Sequence, residues 1–490
     1  MVVVEVLVFA VYGFLLLFIF FYSLSQLDIL LNFLKKNRQN KKSQFQEKFY
    51  PKVTIQLPIY NEKYVVERLI NATCNIIYPK ELLEIQVLDD STDETKGFIE
   101  QLVLEKQKEG INIKHIHRQN RNGFKAGALT EGTQLAEGEF IAIFDADFLP
   151  DTNFLAKTIG YFIDEKIGVV QTPWLHINHN YSLLTSLQAF GLNAHFSVEQ
   201  GGRNAKNHFI NFNGTGGIWR KECINNAGGW QDDTLTEDLD LSYRAQLKGW
   251  NFLFINEVGS PAELPANIAA LRTQQFRWTK GAAECARKNL WKVWMSSKPI
   301  STKFHATFHL LNSFVFVCVA LTAILSIPVM WFKPNWPELK NFFFIGGLFV
   351  FSFVLLGVYY WNSSKFNYNH NPKHKKNFLL YFPMFLSFTM GLSLHNAIAV
   401  IEGYVGKKTP FIRTPKFNII TKKDSWKNKA YLSKKLTIMS FMEGVFSLYF
   451  LGGLLLAFYL KDFGLFPVHL LLFFGFGAIF VYSVAHSSNT

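Results

Sequence analysis

The acidic residues best suited to chemistry follow apolar stretches directly. Asp89 and Asp90 end one such stretch, and Asp145 and Asp147 end another. A single Asp at such a place is usually a turn or helix N-cap residue. Two such sites on neighbouring strands favour a bound ligand instead. Asp145 and Asp147 are two residues apart in extended chain, so their side chains point the same way. Their oxygens suit Mg²⁺ or Mn²⁺ together with a diphosphate.

A basic cluster, Arg118, Arg121 and Lys125, lies just before and at the start of a predicted helix. Cations there oppose the helix dipole, so capping does not explain them. Backbone N–H groups and these cations together favour a bound anion, although the Walker A pattern is absent. A solvated basic turn is the alternative.

Thr236, Glu237 and Asp238 open another predicted helix. Thr236 as N-cap with acids in the first turn is favourable capping chemistry. A carboxylate held near an acceptor hydroxyl is also what a general base requires, and Asp238 is our candidate. The two roles are compatible.

Gln274, Arg277 and Trp278 lie within the predicted helical stretch 266–288. An Arg-Trp pair there fits an interfacial membrane anchor, because Trp favours that depth. Alternatively, Arg277 binds phosphate and Trp278 offers a flat apolar face to a sugar ring. The position of these residues in the sequence does not decide between a membrane anchor and a ligand-binding role.

The elements that position these residues alternate between short β-rich runs and helical patterns such as 94–106 and 125–136. This alternation predicts an α/β domain with a mostly parallel sheet and ligands at the carboxyl ends of its strands. The predicted strands are 53–57, 85–88, 113–117, 140–144 and 167–171.

The two ends of the 490-residue chain are of another kind, because many of its 50 Phe residues cluster there in long apolar blocks. The run 2–24 is interrupted only by Glu5 and is long enough to cross a bilayer, so we predict a retained signal anchor within residues 1–34. The predicted catalytic domain spans 50–294 and a transmembrane domain spans 304–485. The apolar blocks of the latter are 304–332, 342–361, 378–400, 436–460 and 464–485.

The net charge of +13 is concentrated in three stretches that border apolar blocks. Residues 35–54, 362–377 and 403–435 hold about 21 Lys and Arg but only Glu47 and Asp424. Positive-inside loops have this pattern, whereas a nucleic-acid binder has its charge on the globular part, so nucleic acid is set aside. Block 378–400 has basic flanks on both sides, which favours a re-entrant segment, an interfacial segment or a broken pair of half-helices.

The remaining candidate ligands give weaker signals. Cys74, Cys223, Cys285 and Cys318 lie far apart, so neither a disulfide framework nor a zinc site of cysteines is predicted, and a reduced intracellular setting fits. His305 and His309 are four residues apart at the start of an apolar block with no third ligand, so we interpret them as structural.

Together, Asp90, Asp145-x-Asp147, Thr236–Asp238 and Gln274-x-x-Arg277-Trp278 resemble the processive family 2, cellulose-synthase-like glycosyltransferases in type and order. The motifs at 58–62, 178–181, 212–219 and 263–265 look like the glucomannan and mannan synthase branch and its bacterial relatives. The resemblance runs from about residue 53 to 416. It implies a GT-A-like nucleotide-sugar-binding domain inserted between transmembrane helices.

The resemblance also implies roles for individual residues. Asp238 with Glu237 would be catalytic, and Asp145 and Asp147 would hold Mg²⁺ or Mn²⁺. Trp278 would stack on the acceptor, and the stretch Phe411, Arg413, Thr414, Lys416 resembles a gating loop, although Arg413 replaces an apolar residue. The residues implied to bind the donor, UDP-glucose or GDP-mannose, are Tyr60, Glu62, Asp89, Asp90, Lys125, Asp145, Gln274 and Arg277.

The function implied is inverting, processive transfer of glucose or mannose to a growing β-glycan that leaves through the enzyme's own helices. Two alternatives stay open: a single transfer to a lipid acceptor, and an inactive membrane channel or scaffold, which the retained carboxylates disfavour. The expected setting is the plasma (inner) membrane with a cytoplasmic catalytic domain. The expected partners are the donor, a polysaccharide and the bilayer, with accessory export proteins as further candidates.

Overall fold

The computed structural model describes residues 2–39, 45–339, 346–368, 374–427, 429–431 and 436–488. The strands are β1 (Val53–Ile59), β2 (Leu83–Asp89), β3 (Ile113–His117), β4 (Phe140–Ile143), β5 (Ile167–Gln171), β6 (Trp174–His176), β7 (Gly217–Arg220), β8 (Asn251–Phe254) and β9 (Ser260–Ala262).

The helices that pack on the sheet or connect its strands are α2 (Val66–Cys74), α3 (Thr95–Lys108), α4 (Phe124–Leu135), α5 (Phe154–Thr158), α6 (Leu183–Ala194), α7 (Gln200–Ala205), α8 (Lys221–Asn226) and α9 (Glu237–Leu247). The helices at the two ends of the chain are α1 (Val2–Gln39), α10 (Ile268–Met295), α11 (Ile300–Leu310), α12 (Phe314–Phe332), α13 (Gly346–Tyr368), α14 (His374–Gly391), α15 (Ser393–Val405), α16 (Ile438–Leu460) and α17 (Phe466–Ser488).

A seven-stranded sheet in the order β3-β2-β1-β4-β7-β5-β8 forms the centre of the α/β domain. The predicted mostly parallel sheet is confirmed, with β7 as the exception, since it runs antiparallel to both β4 and β5. All five predicted strands are present, with ends shifted by at most two residues. A short parallel pair, β6 and β9, lies beside the sheet.

The sheet is covered on both faces, which explains why its strands read as continuous apolar runs. In β4, Phe140 and Ala142 pack into one core, whereas Ile141 and Ile143 pack into the other. Alternation along an extended strand sends successive side chains to opposite faces. Helices on both sides therefore leave the carboxyl ends of the strands as the edge at which polar residues meet.

Among the described residues, four helices are long and apolar enough to cross a membrane: α1, α12, α16 and α17. The sequence block 304–332 is not one helix but two, because the chain breaks between α11 and α12. Block 378–400 lies in α14 and α15, which meet at a bend of 50°. Of block 342–361, the first four residues lie outside the described residues and the rest lies in α13.

The α/β domain is joined to α1 by the close approach of α7. A Cβ atom on Gly202 would lie 2.2 Å from the carbonyl oxygen of Ile29 in α1, so only glycine fits there. The next residue, Arg203, is almost completely buried and donates to the carbonyl of His305 in α11 and to Glu199. This contact fixes the domain against the helices.

We expect Gly202→Ala to lower stability by about 1–3 kcal/mol, because the added methyl group meets a backbone atom that cannot move aside easily. The melting temperature of the detergent-purified protein measures this. Gly97→Ala is the matched control, since nothing lies within 4 Å of its Cβ position in α3. Alanine there should leave stability unchanged or raise it by up to about 1 kcal/mol. An equal effect of the two substitutions would contradict the docking role of Gly202.

Candidate active site

One pocket at the carboxyl ends of the strands gathers the residues that the sequence singled out. Of the residues given catalytic, donor, acceptor, metal or gating roles, only Asp89 is absent from its wall, and Arg118 of the basic cluster also lies outside it. The predicted residues that line it are Tyr60, Glu62, Asp90, Lys125, Asp145, Asp147, Glu237, Asp238, Gln274, Arg277, Trp278, Phe411, Arg413, Thr414 and Lys416. Residues 350 positions apart in the chain thus share one chemical environment.

Asp238 lies at the start of α9 and lines the pocket with a half-buried side chain. Burial and the neighbouring Glu237 carboxylate raise the pKa of Asp238 to about 7, against the opposing effect of Lys125. Gly214 adopts a left-handed φ of +77°, and a Cβ there would lie 3.3 Å from Asp238 Oδ2. Thr236 precedes the helix as predicted, but its hydroxyl does not cap it and instead lies 3.4 Å from Cys285 Sγ.

Lys125 connects the acidic groups of the pocket. Its ammonium lies 2.5 Å from Asp145 Oδ1 and 3.9 Å from Glu237, and it donates to the carbonyl of Gly214. Burial acts to lower the pKa of Lys125, but the Asp145 and Glu237 carboxylates outweigh it and raise that pKa. Lys125 is therefore a fixed positive charge suited to an anionic ligand.

The two acidic residues after β2 have different surroundings. Asp90 receives two hydrogen bonds from the Arg118 guanidinium, at 2.7 and 2.6 Å, and lines the pocket. The Asp89 carboxylate instead contacts His115 and His117 on β3, outside the pocket wall. Arg121 stacks on the ring of Tyr60 at 3.4 Å, and the two side chains offer a flat surface in the pocket wall.

The stretch 411–416 is docked into the pocket. The Lys416 ammonium lies 2.6 Å from Asp147 Oδ2, with both side chains about nine-tenths buried, and the Arg413 guanidinium lies 2.6 Å from Glu62 Oε2. Burial raises the pKa of Glu62 to about 7, although Arg413 opposes the shift. The residue that departs from the family pattern, Arg413, thus has a buried partner of opposite charge.

Trp278 lies where this pocket meets a second cavity between the apolar helices. The two cavities share the wall residues Leu192, Gln274 and Trp278. Trp174, which sequence reasoning missed, lines the pocket with its ring centroid 6.0 Å from that of Trp278. Its position just after strand β5, at the same sheet edge, is a signal that could have identified it.

Glu263 is a second missed residue of the pocket. It binds Arg68 at 2.9 Å and the backbone N–H of Phe417 at 2.9 Å, and its carbonyl accepts a hydrogen bond from Lys416. It therefore holds the docked stretch in place. The motif that contains Glu263, residues 263–265, entered the sequence predictions only as part of the family resemblance.

The fold belongs to the GT-A-like class of nucleotide-sugar-binding domains. Residues 51–281 match the family model described as glycosyltransferase-like family 2. A solved mannosyltransferase from Pyrobaculum calidifontis, described in complex with GDP-Man and Mn²⁺, is 16% identical with a TM-score of 0.55. The match covers 81% of this chain and 100% of that chain, which supports the fold.

The curated relatives of this chain have more specific names than the family model. A probable glucomannan 4-β-mannosyltransferase 2 from Oryza sativa subsp. japonica is 45% identical over 285 residues, covering 56% of this chain and 48% of the relative. Glucomannan 4-β-mannosyltransferase 7 from Arabidopsis thaliana is 41% identical over 303 residues, covering 59% and 54%. Over the matched range, the chain is similar to the glucomannan-synthase-like family 2 glycosyltransferases. It spans about half the length of these curated relatives.

Lys416 and a divalent cation are both suited to the Asp147 carboxylate, so we expect Lys416→Met to increase the affinity for Mn²⁺ in the absence of donor. A hydrogen bond to a charged group contributes about 1.5–3 kcal/mol, so the increase should be about tenfold or more. Titration of the electron paramagnetic resonance signal of free Mn²⁺ measures it. Lys429→Met, a lysine of the same loop that donates to the carbonyl of Phe417, is the control and should change nothing. Unchanged Mn²⁺ binding in Lys416→Met would contradict this competition.

We expect Asp238→Asn to reduce sugar transfer by about 10²–10⁴-fold while donor binding persists, because an amide cannot accept the proton of an acceptor hydroxyl. In the wild type the rate should rise from about pH 6 to about pH 8, since the basic form of Asp238 is lost as the pH falls through its raised pKa.

Glu237→Gln provides the control for this pH dependence. It removes the negative charge that helps raise the pKa of Asp238, so the rising limb of the pH–rate profile should move to lower pH. Initial rates at saturating donor across the pH range measure both effects. A limb that stays in place would assign the titration to another group.

Proposed function

We propose that the protein transfers a hexose from a nucleotide sugar to the end of a β-linked polysaccharide and passes the product between its membrane helices. The observation that carries this proposal is the junction at Trp278, where the pocket of carboxylates and cations meets the cavity between the helices. A donor on one side of Trp278 and a chain on the other would meet beside Asp238.

The chain's own groups account for each part of an inverting transfer. Asp238 removes the proton of the acceptor hydroxyl as its oxygen bonds to C1 of the sugar. The bond from C1 to the diphosphate breaks on the opposite side, and Lys125 and Arg277 stabilise the negative charge of the leaving group. Phe411, over whose ring Arg277 lies at 4.6 Å, helps to exclude water when the loop is closed.

Asp145 and Asp147 fit a divalent cation, because they offer hard oxygen ligands two residues apart in the pocket wall. When bound, Mg²⁺ or Mn²⁺ would neutralise part of the diphosphate charge. Lys416 now occupies the Oδ2 atom of Asp147, so a cation at that oxygen would displace it. Lys416 and Thr414, whose buried hydroxyl has no partner among the described residues, are then suited to phosphate oxygens.

GDP-mannose is the donor that the relatives favour, since those named above are glucomannan mannosyltransferases. UDP-glucose is the second candidate. The pocket wall supplies the Tyr60–Arg121 stack and Asp90 for a nucleobase and ribose, and these groups suit either nucleotide.

The second cavity supports processive transfer with export of the product. Its wall is formed by α1, α6, α10, α12, α13, α14 and α15 and combines aromatic rings with polar groups such as Gln26, Gln188 and Asn396. Sugar rings need both kinds of group, whereas a lipid chain needs only apolar ones. Transfer of a single hexose to a lipid therefore ranks second.

Purified full-length protein should be incubated with Mg²⁺ or Mn²⁺ and radiolabelled GDP-mannose or UDP-glucose, and the product should be sized. We expect a polymer that a β-mannanase or β-glucanase degrades. A lipid-soluble product with one hexose would establish the lipid alternative, and no transfer from either donor would overturn the proposal.

Trp278→Ala should reduce chain elongation at least tenfold more than it reduces donor hydrolysis, because a stacking platform positions a sugar acceptor but not water. Trp291→Ala is the matched control, since Trp291 lies on the same helix with 72% of its surface exposed. Product length and released nucleotide, measured together, separate the two activities. Equal losses would make Trp278 a structural residue.

We further infer that the catalytic domain and the loop 403–435 face the cytoplasm at the plasma membrane, as the basic residues of the loop favour. The parts of this loop that are described contact the pocket, so both must lie on one side. A cysteine at the exposed Ser425, in a background without the four native cysteines, should resist a membrane-impermeant thiol reagent in intact cells. Labelling from outside would refute this orientation.

A further inference from the structure

Asp89, the predicted site residue that lies outside the pocket wall, is surrounded by two histidines of the edge strand β3. His117 is directly opposite Asp89 in the parallel register, and His115 precedes it by two residues on the same face. His115 Nε2 and His117 Nδ1 each lie 3.0 Å from the same oxygen, Asp89 Oδ2. Three potential ligand atoms therefore converge on one point.

We propose that Asp89, His115 and His117 form a binding site for a zinc ion, separate from the Asp145–Asp147 pair. Two imidazole nitrogens and a carboxylate oxygen are a donor set that zinc accepts, with a water as fourth ligand. Zinc–ligand bonds of about 2.0–2.1 Å place ligand atoms a little over 3 Å apart. The two nitrogen–oxygen separations of 3.0 Å need to change by only a few tenths of an ångström, and the two nitrogens already lie within 4.8 Å of each other.

The surroundings of Asp89 hold its carboxylate in place for this role. The other carboxylate oxygen, Oδ1, accepts a hydrogen bond from the backbone N–H of Ser91 at 2.8 Å. Such outer hydrogen bonds orient metal-binding carboxylates. The Asp89 side chain is fully buried, whereas His115 and His117 keep 13% and 21% of their side-chain surfaces exposed, which leaves a path for an ion and a water.

This site and the pocket also differ in the metal ion that their ligands prefer. Imidazole suits zinc, whereas carboxylate oxygens suit Mg²⁺ and Mn²⁺. Excess Mg²⁺ therefore should occupy the Asp145–Asp147 pair and leave the histidine site to zinc. This inference does not depend on the proposed transfer reaction.

A second group of potential ligands among the described residues, Asp28, His208 and His305, is less suited to an ion. The Asp28 side chain is 53% exposed, and its Oδ2 atom already accepts from Asn32. The rings of His208 and His305 stack on each other at 4.3 Å. This second group serves as the internal comparison.

A zinc ion at Asp89 would tie the edge strand β3 to β2 beside the donor pocket. The carbonyl of Asp89 accepts the backbone N–H of Arg118, whose guanidinium binds Asp90 in the pocket wall. The ion would therefore fix the start of the turn that leads to Lys125. Its role is to position these residues.

Purified full-length protein, in excess Mg²⁺, should be titrated with Zn²⁺ against a chromogenic chelator. We expect one tightly bound zinc per chain, with at least tenfold weaker binding in the double variant His115→Gln, His117→Gln. His179→Gln is the matched control, because His179 lies outside both groups and its ring nitrogen Nδ1 bonds to the carbonyl of His176. Equal zinc affinity in the double variant, or its loss in His208→Gln instead, would overturn the assignment.

A measurement on the wild-type protein tests the site without depending on whether the variants fold. Diethylpyrocarbonate modifies accessible imidazoles, and the products are located by mass spectrometry. Zn²⁺ should protect His115 and His117 while His179 stays reactive. Absence of protection, or no zinc bound in excess Mg²⁺, would refute the site, whereas loss of sugar transfer alone would bear only on the proposed function.

Discussion

The structure depends on the balance of charge in one buried pocket. Seven acidic residues line it, Glu62, Asp90, Asp145, Asp147, Glu237, Asp238 and Glu263, and mutual repulsion would prevent their burial without partners. The cations that contact them are Arg68, Arg118, Lys125, Arg413 and Lys416, with Arg277 and Arg121 nearby in the wall. Two of these cations belong to the docked stretch 411–416, so its closure and the ionisation of the pocket are coupled.

This coupling explains why the docked stretch contains Arg413 where the family pattern has an apolar residue. Glu62 is almost completely buried, and without the guanidinium it would favour the protonated form still more strongly. A diphosphate adds negative charge to the pocket, so a donor must bring a divalent cation or keep the loop cations in place. In the proposed reaction, opening of the loop would release Lys416 from Asp147 and let a metal ion take its place.

Much of this arrangement could be predicted from the sequence, and the exceptions have physical reasons. The strands and the motif residues were found because buried runs and their polar ends are local features. The resemblance implied donor binding for both Asp89 and Asp90, but adjacent residues in extended chain face opposite sides. Only the register of Asp89 with His117 decides that Asp90, and not Asp89, meets the pocket. The contact of Lys416 with Asp147 spans 269 residues, and no local pattern specifies it.

The wall between the two cavities connects the chemistry to the membrane. His195, in the short π-helical segment His195–Glu199, contacts Glu199 through Nδ1 and Asn213 Oδ1 through Nε2. Asn213 lines the pocket, whereas His195 lines the cavity between the helices. Because Arg203 binds the same Glu199 and reaches α11, a shift of the helices moves the wall that faces the acceptor. In the proposed reaction, a polymer in the cavity between the helices would therefore be linked through these contacts to the wall of the pocket that contains Asp238.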